Sequence, residues 1–456
     1  MINNKFEAFK KFVKGKDISV VGIGISNLPL IRLLCESGAR VTACDKKTED
    51  KIKNVKELSK MGVVLNCGED YLKDLSGDII FKTPGMRFDH PALLKAKENG
   101  STVTSEMEVF FEICPARIIG VTGSDGKTTT TTLIYKILQE SGYRCHLGGN
   151  IGKPLLCDAD KIEKDDMVVV ELSSFQLHTM KKSADTAVIT NLSPNHLDVH
   201  KSYGEYIDAK KNIYLHQDKS GILVVNRENE KSFECALTAP GEVRTFGRSE
   251  DCSVYEKNGE IYAFSEKIMN TSDIKIPGAH NVSNYMAAIA ATYPYAKKGA
   301  IVHVAKSFGG VEHRIEFVRE KDGVRYYNSS IDSSPNRTIN TLKVFDKVIL
   351  IAGGKDKGIP YDDLGEALAT KTKFIVLIGK TAPLIQKALS DYVKKTGTGK
   401  DIKTVVCTNY EEAVLTAKQH AVPGDVVLLS NASTSFDMFD NFEQRGNLFK
   451  SIVNSL

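Results

Sequence analysis

Short runs of aliphatic and β-branched residues recur along the whole chain, and a stretch of helix length follows each of them. The runs are continuously apolar instead of alternating, which is typical of strands buried on both faces of a parallel sheet. Strands that alternate with helices predict an α/β fold with mostly parallel sheets. The sequence shows no repeat of about 20–50 residues, so we do not expect a solenoid. The predicted strands include residues 18–23, 117–122, 167–171, 187–191, 221–225, 324–328, 347–353, 373–379 and 425–430.

The length of the chain indicates its number of domains. At roughly 150 residues per domain, a chain of 456 residues is expected to form about three. Residues 105–115 separate a first α/β region from the strand that starts at residue 117, and the segment FGGVEHR (308–314) precedes another strand. We therefore predict domains at 1–106, 107–312 and 313–456.

The charge balance and the cysteines exclude several classes of protein. The 61 Lys and Arg residues nearly cancel the 57 Asp and Glu residues, and no block of like charges is present, so we expect no nucleic-acid partner. The sequence contains no apolar run of about 18 residues, so we expect no membrane-spanning helix. We also expect no signal peptide. The nine cysteines form no CxxC pair. Their odd number predicts free thiols in a reducing compartment, which favours the cytoplasm.

The segment IIGVTGSDGKTTTTTL (118–133) carries the sharpest local signal. An apolar strand enters a Gly-rich turn and a helix follows, which is the setting in which backbone N–H groups bind phosphate. The motif is TGxxGKT, because Val121 stands where the GxxxxGK[ST] pattern requires glycine. Lys127 is expected to reach the terminal phosphates of a nucleotide and Thr128 to bind Mg²⁺. The alternative is a Gly-rich turn that only caps a helix.

Polar residues follow the next two buried strands. Glu171 ends one of them, where a carboxylate beside a phosphate loop could hold Mg²⁺ or could simply cap the next helix. Asn191 and His196 follow the other strand. A helix over 206–214 then presents Lys210 and Lys211, which from the residues alone are solvated lysines.

The first domain contains VVGIGISN (20–27), in which Gly22 and Gly24 begin a dinucleotide-binding fingerprint and Asn27 stands at the third glycine position. Asp45 ends the second strand, about 20 residues on, as the fingerprint requires. An incomplete fingerprint is weak evidence for NAD. The segment KTPGM (82–86) reads as a turn, since Pro-Gly pairs favour turns.

Several motifs follow one another in an order that resembles the Mur ligase family, the ATP-dependent amide-forming ligases of peptidoglycan precursor synthesis. Within that family, ELSSFQL and the C-terminal NFEQRGN (441–447) resemble the members that add D-glutamate to UDP-N-acetylmuramoyl-L-alanine. The resemblance implies a Rossmann-like first domain, a P-loop ATPase-like central domain and a Rossmann-like third domain. The motifs are TGSDGKT (122–128), ELSSFQL (171–177), NHLD (195–198), the YxxxK of 206–210, GAHNVSNYMAA (278–288) and GVEHR (310–314).

The chemistry implied by the resemblance is activation of a carboxylate by ATP to an acyl phosphate, which the incoming amine then attacks. Two Mg²⁺ ions are implied, with Lys210 carbamylated, and the catalytic residues are Lys127, His196 and Lys210. The implied metal ligands are Thr128, Glu171, His196 and Lys210. The implied ATP-binding residues are Thr122, Gly123, Ser124, Asp125, Gly126, Lys127, Thr128, Thr129, Asn281, Asn284, Arg314 and Asp332.

The resemblance also implies two further sets of contacts and the partners of the protein. The UDP-linked substrate would contact Ile25, Ser26, Asn27, Asp45, Lys46, Thr83, Pro84, Gly85 and Asn150. D-Glutamate would contact Lys357, Ser435, Phe436 and Phe442. We expect a monomer that acts on these small molecules in the cytoplasm and does not insert into a membrane.

Other functions stay open from the sequence. Within the superfamily, the chain could add a different amino acid or act as a folylpolyglutamate ligase. In another class, it could be an NAD-dependent oxidoreductase built on the first domain, or a P-loop kinase or switch protein without ligase activity. The Asn281–Asn284 pair could cap a helix, and Arg314 and Asp332 could form surface ion pairs.

Overall fold

The computed structural model describes residues 3–24, 27–52, 54–194, 199–293 and 295–456. The chain forms two compact units. The first unit comprises Met1–Ile274 and Ala279–Lys306, and the second comprises Lys275–Gly278 and Ser307–Leu456. Among the described residues, no helix has both the length and the apolar character needed to cross a membrane. The predicted domain limits at residues 106 and 312 stay predictions.

The first unit begins with a five-stranded, wholly parallel sheet in the order β3-β2-β1-β4-β5. Its strands are β1 (Asp17–Val21), β2 (Arg40–Asp45), β3 (Val64–Cys67), β4 (Ile79–Phe81) and β5 (Thr102–Thr104). Its helices are α1 (Asn4–Val13), α2 (Asn27–Glu36), α3 (Val55–Lys60), α4 (Pro91–Glu98) and α5 (Glu106–Ile113). The central strand β1 is buried along most of its length, which explains its unbroken apolar run.

A nine-stranded sheet completes the first unit in the order β14-β13-β12-β11-β10-β9-β6-β8-β7. All neighbouring pairs from β7 to β12 are parallel, whereas β13 pairs antiparallel with both β12 and β14. The strands are β6 (Arg117–Thr122), β7 (Cys145–Gly149), β8 (Met167–Glu171), β9 (Thr186–Ile189), β10 (Ile222–Asn226), β11 (Glu242–Gly247), β12 (Val254–Lys257), β13 (Glu260–Ala263) and β14 (Glu266–Asn270). The helices are α6 (Lys127–Glu140), α7 (Ser174–Leu177), α8 (Tyr203–Lys211), α9 (Glu230–Glu234), α10 (Ala279–Thr292) and α11 (Lys298–Ser307).

The second unit has a six-stranded sheet in the order β15-β16-β20-β17-β18-β19, in which only the β15–β16 pair is antiparallel. The strands are β15 (Glu316–Lys321), β16 (Val324–Asn328), β17 (Val348–Ala352), β18 (Thr372–Ile378), β19 (Lys403–Cys407) and β20 (Val426–Leu429). The helices are α12 (Pro335–Leu342), α13 (Leu364–Lys371), α14 (Ala382–Thr396), α15 (Tyr410–Gln419) and α16 (Phe442–Ser455).

These three sheets confirm the predicted α/β class with mostly parallel strands. Separate hydrophobic clusters cover the two faces of the third sheet, one around Leu350 and one around Ile351. This alternation buries successive residues of β17 on opposite faces, which requires an apolar residue at every position of the strand. The nine cysteines, all of them described, are free thiols, as predicted.

Candidate active site

The phosphate loop lies between β6 and α6 and depends on two glycines in the left-handed region. Gly123 has φ 150° and Gly126 has φ 78°. A Cβ atom on Gly123 would lie 1.9 Å from Thr190 Oγ1, and one on Gly126 would lie 2.4 Å from Asn284 Oδ1. Only glycine fits both positions, because any side chain there meets a neighbouring residue as well as backbone strain.

The residues after β9 hold the loop in place. Asn191 Oδ1 accepts the backbone N–H of Asp125 at 3.0 Å, and Asn191 Nδ2 donates to Asp125 O at 3.1 Å. Ser124 Oγ donates to Ser193 O and lies 2.9 Å from Tyr206 Oη. The side chain of Asp125 is exposed, so the acidic residue within the loop faces solvent.

Lys127 begins α6 and folds back over the loop. Its Nζ donates to Gly123 O at 3.0 Å and to Ser124 O at 2.8 Å. The next residue, Thr128, is buried, and Thr129 is partly buried. The loop therefore presents a helix N-terminus and a fixed ammonium group together, which is the arrangement that stabilises phosphate charge.

Glu171 ends β8, the strand beside β6, and is 1% exposed. Its Oε1 accepts from Asn150 Nδ2 at 2.8 Å, while its buried Oε2 has no hydrogen-bond partner among the described residues. The helix that follows is capped by Ser173 and Gln176 in a capping box. Glu171 is therefore not the cap of that helix, and its unpaired oxygen is suited to a cation.

Lys210 lies in the last turn of α8 and is 2% exposed. Its Nζ donates to Thr122 Oγ1 at 3.0 Å and to Gly123 O at 2.9 Å, which places the side chain against the phosphate loop. Burial, reinforced by the charge of Lys127, lowers the pKa of Lys210 well below its usual range. Lys211 instead forms an ion pair with Asp208 and is partly exposed. The interpretation of Lys210 as a solvated lysine is therefore wrong.

A cluster of ion pairs joins the loop after β4 to the start of α8. Arg87 binds both carboxylate oxygens of Glu205, at 2.9 and 3.2 Å, and donates to Val199 O at 2.6 Å. Lys201 Nζ reaches Asp89 at 2.8 Å. His196 lies outside the described residues, and this cluster anchors the chain that follows it.

His178 and His200 approach Glu205 at 3.6 Å each, and the three residues have the composition of a metal site. Arg87 already binds both oxygens of Glu205. A cation that needs the same oxygens competes with the guanidinium, so the cluster is best described as an ion-pair network.

Two of the residues predicted to contact the UDP-linked substrate are used within the first sheet itself. The Asn27 amide donates to Val21 O and Gly22 O, both at 3.0 Å, and Asp45 accepts the backbone N–H groups of Ile23 and Lys47. Thr83 and Pro84 are partly buried, whereas Lys46 and Gly85 are exposed. Ile25 and Ser26 lie outside the described residues.

Asn281 and Asn284 are buried in α10 beside the phosphate loop. Asn284 Nδ2 donates to Asn281 Oδ1 at 3.0 Å, and Asn284 Oδ1 accepts from Thr130 in α6. Asn284 is the sixth residue of its helix, so capping does not explain it. The pair connects α10 to the helix that carries Lys127.

The remaining predicted residues belong to the second unit. Asp332 is buried and accepts from Thr341 Oγ1 at 2.7 Å and Ser430 Oγ at 2.8 Å, and burial raises its pKa. It is therefore not part of a surface ion pair. Arg314 and Phe442 are partly buried, and Ser435 is buried. Lys357 and Phe436 are exposed.

Known proteins match this chain along its whole length. Three family models match: Mur ligase MurD-like N-terminal domain at residues 16–105, Mur ligase middle domain at 121–292 and Mur ligase glutamate ligase domain at 313–432. A UDP-N-acetylmuramoylalanine–D-glutamate ligase from Ruminiclostridium cellulolyticum is 54% identical over 100% of both chains. The chain belongs to the Mur ligase family.

Solved structures of Mur ligases share the fold. The UDP-N-acetylmuramate-alanine ligase MurC of Thermotoga maritima has a TM-score of 0.58 at 18% identity, covering 96% of this chain and 99% of its own. The MurF ligase of Thermotoga maritima, in complex with ADP, has a TM-score of 0.56 at 18% identity, covering 98% and 97%. These structures show the fold alone, and the family models and the 54% identical relative confirm the family resemblance inferred from the motifs.

Three residues of this Mur ligase were not identified from the sequence. Lys82 is a buried lysine that directly follows β4, Arg87 joins that region to α8, and Arg445 is fully buried in α16. Lys82 did leave a signal, because a cation directly after the apolar run IIF (79–81) is unusual. Arg87 left none, and the motif NFEQRGN includes Arg445 without indicating its burial, since the partners of both residues are distant in sequence.

Proposed function

We propose that the chain is an ATP-dependent ligase that adds D-glutamate to UDP-N-acetylmuramoyl-L-alanine in peptidoglycan precursor synthesis. The full-length relative named for this activity, at 54% identity, carries the proposal. The convergence of Lys127, Glu171 and Lys210 on one loop supports it, because phosphoryl transfer needs that combination of charges.

The proposed reaction has two steps. The terminal carboxylate of the UDP-linked substrate attacks the γ-phosphorus of ATP, so that ADP leaves and an acyl phosphate remains. The amine of D-glutamate then attacks the acyl carbon, phosphate leaves, and the amine releases a proton as the amide forms. The loop N–H groups and Lys127 stabilise the negative charge of the transferred phosphoryl group.

The residues around the loop fit a magnesium site. The orphaned Oε2 of Glu171 is a hard oxygen donor in a buried position, and Thr128 adds a hydroxyl beside the loop. Together with His196 and a carbamylated Lys210, these residues are the proposed ligands of two ions. Bound Mg²⁺ would neutralise phosphate charge during the transfer.

Lys210 is chemically suited to carbamylation. A neutral amine attacks CO₂, the new N–C bond forms, and one proton is released, which leaves a carboxylate-like anion on the side chain. The lowered pKa of Lys210 favours the neutral amine that this reaction requires. The modified side chain would supply oxygen ligands where the unmodified lysine supplies none.

The remaining site residues are proposed from the family. Asn281 and Asn284 would lie on the adenine side of ATP, with Arg314 and Asp332 contributing further ATP contacts. Thr83, Pro84, Gly85 and Asn150 would bind the UDP-linked substrate, and Lys357, Ser435, Phe436 and Phe442 would bind D-glutamate. We also propose that the protein is a cytoplasmic monomer.

The direct test incubates the purified protein with ATP, Mg²⁺, UDP-N-acetylmuramoyl-L-alanine and D-glutamate, and detects the product by mass spectrometry. The proposal predicts one amide product and one phosphate per turnover, and no product when any component is omitted. Phosphate release without the UDP-linked substrate would instead indicate a P-loop kinase or switch. Calorimetric binding of NAD without binding of the UDP-linked substrate would favour the oxidoreductase.

The carbamate is tested by replacing Lys210. Lys210→Ala should lower activity about tenfold to a hundredfold, as loss of a metal-organising group does, and short carboxylic acids should restore part of it. Lys211→Ala is the matched control and should retain activity, because Lys211 is partly exposed on the same helix. Equal losses in the two variants would contradict the role of Lys210.

A further inference from the structure

Lys82 directly follows β4, the strand that pairs with β1 and β5 in the first sheet. Its backbone N–H continues the sheet by donating to Thr104 O at 2.9 Å. The residue is 3% exposed, so its ammonium group is held in the interior at the carboxyl end of a parallel strand. Ligands of open parallel sheets bind at that edge.

The ammonium group of Lys82 has no hydrogen-bond acceptor or ion-pair partner among the described residues. Two carboxylates on α5 lie in the vicinity, and the charge of Glu108 acts on Lys82 without a hydrogen bond or an ion pair between them. Glu106 accepts the N–H of Leu156 at 2.8 Å, and Glu108 accepts from Ser105 Oγ at 2.7 Å. A buried cation without a partner is unfavourable, and a protein retains one where a ligand supplies the missing charge.

A pocket opens beside Lys82, between the five-stranded sheet and the nine-stranded sheet of the first unit. Its lining includes Asn27 at the start of α2, Lys82, Ser105, Glu106, Gly149 and Gln176. The pocket thus extends from the β1–α2 turn towards β7 and the segment after Glu171.

We infer that Lys82 binds an anionic group of the UDP-linked substrate, either its diphosphate or its reacting carboxylate. The inference rests on the proposed function, since it assigns a residue to that substrate. The position of the pocket favours the diphosphate, because the first residue of α2 lines it together with Lys82 and the start of a helix attracts anions. Burial lowers the pKa of Lys82, and a neighbouring anion would raise it again, so that the lysine is charged when substrate is bound.

The test measures binding by calorimetry for three forms of the full chain: wild type, Lys82→Met and Lys95→Met. Lys95 is an exposed lysine on α4 of the same sheet region and is the matched control. The probes are UDP-N-acetylglucosamine, which has a diphosphate and no carboxylate, and UDP-N-acetylmuramoyl-L-alanine, which has both. Loss of one charge-assisted contact predicts that Lys82→Met weakens binding about tenfold to a hundredfold.

Weaker binding of both probes identifies the diphosphate as the bound group, and weaker binding of the alanyl substrate alone identifies the carboxylate. Unchanged affinity for both probes in folded Lys82→Met overturns the inference, as does an equal loss in Lys95→Met. If the wild type binds neither probe, the proposed function fails and the inference falls with it. Lys82→Arg, which keeps the charge, should bind more tightly than Lys82→Met.

Thermal unfolding separates a binding role from a structural one. Because methionine replaces an unpaired buried cation by an apolar side chain of similar length, Lys82→Met should unfold at the same or a higher temperature. If Lys82→Met unfolds at a lower temperature, but the folded variant binds both probes as tightly as the wild type does, then Lys82 only supports the fold.

Discussion

Three buried cations, one in the second unit and two in the first, differ in the partners that they have. In the second unit, Arg445 is fully buried and donates to Ser330 Oγ, Ser330 O and Ser433 O. In the first unit, Lys210 has two neutral acceptors in the phosphate loop, and Lys82 has no partner among the described residues. Burial lowers the pKa of all three groups.

This difference separates cations that hold the fold together from cations that await a ligand. Arg445 connects α16 to the segment after β16, and its planar guanidinium fits several fixed carbonyl and hydroxyl groups at once. Lysines present a single ammonium group, which leaves charge available for an incoming anion. We therefore expect replacement of Lys82 or Lys210 to affect activity, and replacement of Arg445 to affect stability.

The largest effect is expected for Lys127→Ala. Removing the ammonium group from the phosphate loop should cost roughly 3–4 kcal/mol of transition-state stabilisation, which is more than a hundredfold in kcat. The measurement is the steady-state rate of phosphate release. The control is Lys136→Ala, which replaces an exposed lysine on the same helix and should retain wild-type turnover. A similar loss of activity in Lys136→Ala would show that any change in α6 lowers turnover, and would contradict a specific role for Lys127.

Arg445→Met should destabilise the second unit by about 3 kcal/mol, because it leaves the buried Ser330 and Ser433 carbonyls without donors. Hydrogen exchange at the amides of β16 and β20 measures the opening of this unit directly. Arg325→Met, an exposed arginine on β16, should leave that exchange unchanged. If the amides of β16 and β20 in Arg445→Met are as protected from exchange as in the wild type, Arg445 does not stabilise the second unit and the contrast with the lysines of the first unit is lost.

A third prediction extends the comparison to a buried carboxylate of the first unit. Burial raises the pKa of Glu106 above its ordinary value, to about 7. The folded state therefore binds its proton more tightly than the unfolded state. The resulting stability is fully present below about pH 4.5 and is lost as the pH rises through about 7, with a total of at most about 3 kcal/mol.

Glu106→Gln should remove this pH dependence. The midpoint of urea-induced unfolding, measured at about pH 5 and about pH 8, should change less with pH in the variant than in the wild type. Glu98→Gln, an exposed glutamate on α4, should behave as the wild type does. The same pH dependence in Glu106→Gln and wild type would show that Glu106 titrates normally.

The sequence predicted those parts of the molecule that depend on local patterns. The apolar runs located β1, β6, β8 and β17 because parallel strands are buried on both faces, and TGSDGKT located the loop because its glycines are required locally. The burial of Lys210 could not be predicted from its helix. It depends on how α8 packs against a loop about 85 residues earlier in the chain.

The same reason explains what the sequence does not show about other residues of the first and second units. Asn27 and Asp45 occupy the predicted positions, but their side chains bond to the backbone near the β1–α2 turn, which no spacing reveals. The apolar run before Lys82 is a signal in the sequence, and Arg445 lies in the motif NFEQRGN, but neither pattern shows what surrounds the side chain. Only their three-dimensional surroundings show that one lacks partners and the other has three.

The measurement that tests the central claim most directly offers the wild-type protein ATP, Mg²⁺ and UDP-N-acetylmuramoyl-L-alanine with a panel of amino acids. Phosphate release and the mass of the amide product are recorded for each member. We predict turnover with D-glutamate and none with L-glutamate, L-lysine or meso-diaminopimelate. Product formed with L-lysine or meso-diaminopimelate in preference to D-glutamate would contradict the account.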